Sequence, residues 1–127
     1  MLSRQAIFRG ATPLQDYKQN PENERKLWQI FWQEHGIGSY KTQYLSDKDE
    51  FAINEGVNRL AIVTVEMDNK MHSSTDYRDL LSLTENWCHR ITEKIQAVLQ
   101  AGFHLYLTTD HGSTLSYGWR TISNVEI

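Results

Sequence analysis

Two short stretches carry the residue types that ligate divalent metal ions. Asp68 is followed by three residues and then His72. Asp110 is followed directly by His111 and Gly112. A mixed set of carboxylate oxygens and imidazole nitrogens suits zinc or manganese, with magnesium as a further option. In Asp68-x3-His72 a short loop lets one carboxylate oxygen and one ring nitrogen reach a common ion. On a strand, Asp110 and His111 would point to opposite faces. In a turn just past a strand both can face one crevice, and Gly112 permits the sharp backbone path this needs. Each motif alone has a plainer reading: Asp110 can begin a turn, and Asp68 can cap one by bonding its own backbone.

Convergence of the two motifs depends on the elements around them. Leu60-Ala-Ile-Val-Thr-Val65 is a short apolar run rich in β-branched residues, which predicts a strand buried on both faces. The residues from Asp68 to Thr75 read as a polar loop. A long helix is expected from about Asp76 to Ala101, with Leu80, Leu83, Trp87, Ile91, Ile95, Val98 and Leu99 as its apolar stripe and Gly102 as its stop. Phe103 to Thr109 reads as a second strand. Strand, helix and strand form a βαβ unit with a right-handed crossover. Both strands of such a unit end at one sheet edge, where open α/β sheets bind ligands. Asp68, His72, Asp110 and His111 would then share one rim.

Upstream, Asn20 caps a helix from about 21 to 35. Pro21 stands at its first position, Glu22 and Glu24 suit its positive end, and Gly36 stops it. Leu27, Trp28, Phe31 and Trp32 form its broad apolar face. Ser39 to Leu45 reads as a loop or short extended piece. Ser46 with Asp49 resembles a capping box and predicts a weak helix to about Glu55. Trp119 to Ile127 reads as an extended tail. The expected class is α/β with a parallel sheet core and flanking helices. The 127 residues form one domain, helical over 1–56 and βαβ over 57–127.

Composition removes other classes. Lys plus Arg is 13 and Asp plus Glu is 16, a net charge of −3, which gives no basic footprint for nucleic acid. No apolar run approaches a membrane span. The single cysteine, Cys88, excludes an internal disulfide and a cysteine-rich zinc site, and fits a reducing, cytoplasmic setting. Cys88 is expected to pack as a small apolar residue, and the Trp28/Trp32 pair to belong to the core. His104 is expected within a strand, His89 on the wet side of the long helix, and His35 at a helix C-terminus. Ser113 beside His111 makes a poor serine–histidine pair.

The chain resembles the PglZ domain, a branch of the alkaline phosphatase superfamily. The resemblance rests on the order strand, Asp68-x3-His72, helix, strand, Thr109-Asp110-His111-Gly112, and on the spacing of 42 residues from Asp68 to Asp110. It extends to Ser3-Arg4-Gln5-Ala6-Ile7-Phe8-Arg9-Gly10, which is similar to the segment following the family's nucleophile, and to Trp28-x2-Phe31-Trp32, which resembles its tryptophan-bearing helix. The resemblance implies a two-metal phosphoester hydrolase or phosphoryl-transfer domain acting on a phosphorylated substrate, with Asp68, His72, Asp110 and His111 as ligands. In that mechanism one ion activates a hydroxyl nucleophile and both clamp the phosphoryl oxygens. The family's metal-binding Asp strand and Ser or Thr nucleophile would precede Met1, and no His follows His111. The implied object is an internal fragment, a truncated product or one half of a split gene, inactive alone. An open sheet edge is expected, suited to a complementing chain or to self-association. The family's setting implies bacterial phage defence or signalling. The rival class is a non-catalytic structural or interaction remnant with vestigial ligands.

Overall fold

The computed structural model describes residues 2–112. Helix α1 spans Leu2–Arg9 and α2 spans Pro21–Glu34; a 3-10 turn at Ser39–Lys41 leads into strand β1, Thr42–Leu45. Strand β2 is Arg59–Ile62, followed by α3, Glu66–Ser73, and α4, Tyr77–Gln100. The described chain is a mostly helical α/β arrangement with a two-stranded parallel sheet.

Helices α2 and α4 form for reasons local to their sequences. The Asn20 side chain accepts from the Asn23 amide at 2.8 Å, and Pro21 occupies the first helical turn. Asp76 caps α4 by accepting from Asp79 N at 2.8 Å, and Gly102 ends it at φ +89°. The expected apolar stripe of α4 is real but thinly covered. Val98 is buried, Leu83, Trp87, Ile91 and Ile95 are half-buried, and Leu99 is exposed.

The sheet departs from expectation. β2 pairs in parallel with β1, in register Thr42↔Arg59 to Leu45↔Ile62, and not with the 103–109 run. That run forms no strand. The βαβ unit is therefore not built: residues 46–58, without a helix, carry the crossover from β1 to β2. β2 is half-buried throughout rather than covered on both faces. β1 holds the better core position, with Thr42, Tyr44 and Leu45 all buried. Its advantage is a covered face. The Tyr44 ring meets Phe8 of α1 edge-on at 5.7 Å, Phe8 meets Trp28 at 6.1 Å, and Trp28 meets Trp32 at 5.5 Å. The 103–109 run is less covered among the described residues: Phe103 and Leu105 are half-buried, and Tyr106 and Leu107 are exposed. A strand with little apolar face to bury gains little from pairing.

Ser46 and Asp49 do engage, but they close a turn rather than start a helix. Asp49 Oδ2 accepts from Ser46 N at 2.8 Å and from Ser46 Oγ at 3.0 Å. No helix follows to Glu55.

A buried polar cluster ties the N-terminal half together. Glu24 of α2 is fully buried. Its carboxylate meets Arg4 Nη2 at 2.6 Å and accepts from the Tyr44 hydroxyl and from Gln19 Nε2. Burial, with donation to the Glu24 carboxylate, pushes the Tyr44 phenol above its ordinary value of 10.0. The fold keeps this phenol neutral at a pH where the unfolded chain ionises it. The resulting stabilisation is complete below about pH 10 and is lost as pH rises beyond it. Thermal melts between pH 9 and 11.5 should show a steeper alkaline loss for the native chain than for Tyr44→Phe. Equal slopes would remove the assignment.

Candidate metal centre

Asp68 lies on α3, not in the expected loop, and His72 is one turn further along the same helix. Their spacing puts both on one helix face. Asp68 Oδ1 and His72 Nε2 are 3.9 Å apart, with both side chains exposed. That gap is too long for a hydrogen bond, yet one ion can approach both groups. The second pair follows the 103–109 run: Asp110 Oδ1 and His111 Nε2 are 3.7 Å apart, with Asp110 the more covered.

His111 is held above its ordinary pKa of 6.5, first by the Nδ1 contact to Gly112 O at 3.0 Å and then by the adjacent Asp110 carboxylate. Among the described residues, however, no group of three or more His, Cys, Asp or Glu side chains gathers closely enough to hold one ion. The donor types fit a divalent metal; the donor number does not close a site.

Two positioning residues escaped the sequence reading. The carboxylate of Asp47, in the turn after β1, accepts from Val65 N at 2.7 Å, where α3 begins. Val65 offers no capping side chain of its own, but Thr64 Oγ1 accepts from Glu66 N at 3.3 Å, and Glu66 and Asp68 suit the positive end of α3; these local signals lie just ahead of the stretch read as a loop. Glu66 at the head of α3 pairs with Arg90 of α4 at 2.8 Å. Its carboxyl is held below the ordinary 4.5, first by the Arg90 hydrogen bond. The pair is partly exposed and is worth no more than about 1 kcal/mol. Its consequence is orientation: it fixes the helix that carries Asp68 and His72. The residue signals that would reveal it are 24 positions apart.

The remaining candidates resolve more simply. Cys88 is exposed rather than packed. His35 Nδ1 lies 2.7 Å from Phe31 O, and the two rings approach to 4.4 Å. His104 is exposed and belongs to no strand, and His89 is exposed as expected. Ser113 and the Trp119–Ile127 tail lie outside the described residues. No helix among the described residues is long and apolar enough to cross a membrane. Comparison with protein-family models, with curated proteins and with solved structures finds no match to this chain.

Proposed function

We propose that the chain is the ligand-bearing part of a PglZ-type, two-metal phosphoester hydrolase or phosphoryl-transfer domain, and that it is inactive alone. The observation that supports this best is the one-turn spacing of Asp68 and His72 on one face of α3, which brings Oδ1 and Nε2 to 3.9 Å, with a second adjacent Asp–His pair at 3.7 Å. Asp68 and His72 would hold one ion and Asp110 and His111 would contribute to the second. Zinc or manganese suits these donors, and magnesium is tolerated. When bound in a complete site, such ions polarise phosphoryl oxygens and activate a hydroxyl nucleophile. With two protein ligands per pair, this chain binds metal weakly. Its substrate would be a phosphorylated compound, and its setting a cytoplasmic phage-defence or signalling protein.

Thermal melts in increasing zinc or manganese test the reading. Metal at ten times its dissociation constant should stabilise the chain by about 1.4 kcal/mol. The double change Asp68→Ala and Asp110→Ala should abolish the rise. A double mutant that keeps the full shift would overturn the ligand assignment. No turnover of an aryl phosphate is expected; robust, chelator-sensitive turnover would place the nucleophile within this chain.

A second reading, a non-catalytic interaction remnant, is favoured by a different observation. Tyr106 and Leu107 are 89% and 76% exposed on a β-prone run that forms no ladder. Among the described residues each sheet strand has one edge without a strand partner, where a complementing chain or a second copy could add strands. Light scattering across a concentration series should then show association that Leu107→Lys abolishes. A monomer at every concentration would discard this reading.

A further inference from the structure

A cleft of about 490 Å³ lies at the opposite end of β2 from Asp68. Trp28 and Trp32 of α2, Arg59 and Leu60 of β2, and Phe103 and Tyr106 after α4 line it. Its size is that of a small-molecule site. Three features define the ligand it would take. The Arg59 guanidinium stands 4.7 Å from the Trp32 ring centroid and has no carboxylate partner among the described residues. Its described polar contact is donation to the neighbouring Asn58 carbonyl at 3.0 Å. The Trp28 indole N–H donates to Arg59 O at 3.3 Å and that of Trp32 is buried, which leaves the Arg59 guanidinium as the charged donor at the cleft among the described residues. The Tyr106 ring is uncovered at the cleft.

A half-exposed guanidinium with no carboxylate partner among the described residues, stacked on an indole, is suited to receive an oxyanion. The aromatic walls call for a flat body. We infer that this cleft binds a small aromatic oxyanion, its carboxylate or phosphate on Arg59 and its ring against Phe103 and Tyr106. The C-terminus of α4 also borders the cleft, and its partial negative charge opposes an anion. The amides of Ala101, Gly102 and Phe103 already bond the carbonyls of Ala97, Leu99 and Val98. The full charge of Arg59 therefore sets the sign.

Calorimetric titration in the presence of chelator separates this cleft from the metal pairs. Adenosine monophosphate is compared with adenosine, and indole-3-carboxylate with indole, so that the two arms distinguish a phosphate from a carboxylate ligand. At least one anion should bind tenfold or more tightly than its uncharged counterpart. Arg59→Gln should remove that preference, and Tyr106→Ala, at an exposed ring, should weaken binding several-fold. Circular dichroism checks that each variant folds; if Arg59→Gln does not, Tyr106→Ala decides. No binding of either anion at 1 mM (about −4 kcal/mol of affinity), equal binding of charged and uncharged probes, or unchanged binding by the folded variants would overturn the inference.

Discussion

Glu24→Ala should be the most damaging single substitution in the described chain, costing about 3–5 kcal/mol. Glu24 is completely buried, and three groups converge on its carboxylate: Arg4, Tyr44 and Gln19. Removing it leaves the Arg4 guanidinium without its counter-charge in a largely covered position, and leaves a buried phenol and an amide without an acceptor. The loss spreads across α1, the connection to α2, α2 itself and β1. Few buried apolar residues stand in reserve, with Tyr44, Leu45 and Val98 forming the buried apolar set among the described residues. Domains of this size carry a margin of only about 5–15 kcal/mol, so the substitution takes a large part of it. Thermal denaturation should show a drop on the order of 10 °C or more. Glu24→Gln keeps an acceptor and the shape, and should fall between the two. A melting point within a few degrees of the native one for Glu24→Ala would refute the view that this cluster organises the N-terminal half.

Gly10→Ala should cost about 2–3 kcal/mol, through two separable causes. Gly10 follows α1 at φ +65°, and its amide bonds Ala6 O at 2.9 Å, which ends the helix. An added Cβ meets Phe31 Cε2 at 2.8 Å. The Phe31 ring has little freedom to yield, since it packs on Trp32 at 5.0 Å and on His35 at 4.4 Å. Gly56→Ala is the internal control. Gly56 has φ +81° and nothing within 4 Å of the added carbon, so it carries the backbone cost without the clash. Chemical denaturation of both variants should give the smaller loss at position 56. Equal losses would show that Phe31 moves freely and that α1 is not clamped on α2.

The alternation of what was legible and what was not has a physical pattern. The expected polar loop from Asp68 is α3, whose head is bonded locally by Thr64 and tied to a different segment by Asp47, which accepts from Val65 N. The expected partner of β2 was the apolar run after Gly102, and its true partner is β1. Apolar character alone cannot tell which of two strand-like segments has a covered face. Asp68, His72, Asp110 and His111 were visible as residue types and spacing. The structure holds each pair within 4 Å but gathers no group of three or more such donors among the described residues, an arrangement for which the sequence holds no local mark.

Sequence by itself determined the elements whose causes lie within a few residues. These are α2 with its Asn20 cap and Pro21, α4 with its Asp76 cap and apolar periodicity, and the glycine stops after them. The tertiary structure alone decided the pairing of β1 with β2, the tie from Asp47 to the head of α3 and the burial of Glu24 among Arg4, Gln19 and Tyr44. Helix caps and periodic stripes are short-range and can be read along the chain. Strand pairing, remote capping and the solvation of a charge depend on which surfaces meet, and that is settled only when the chain closes on itself.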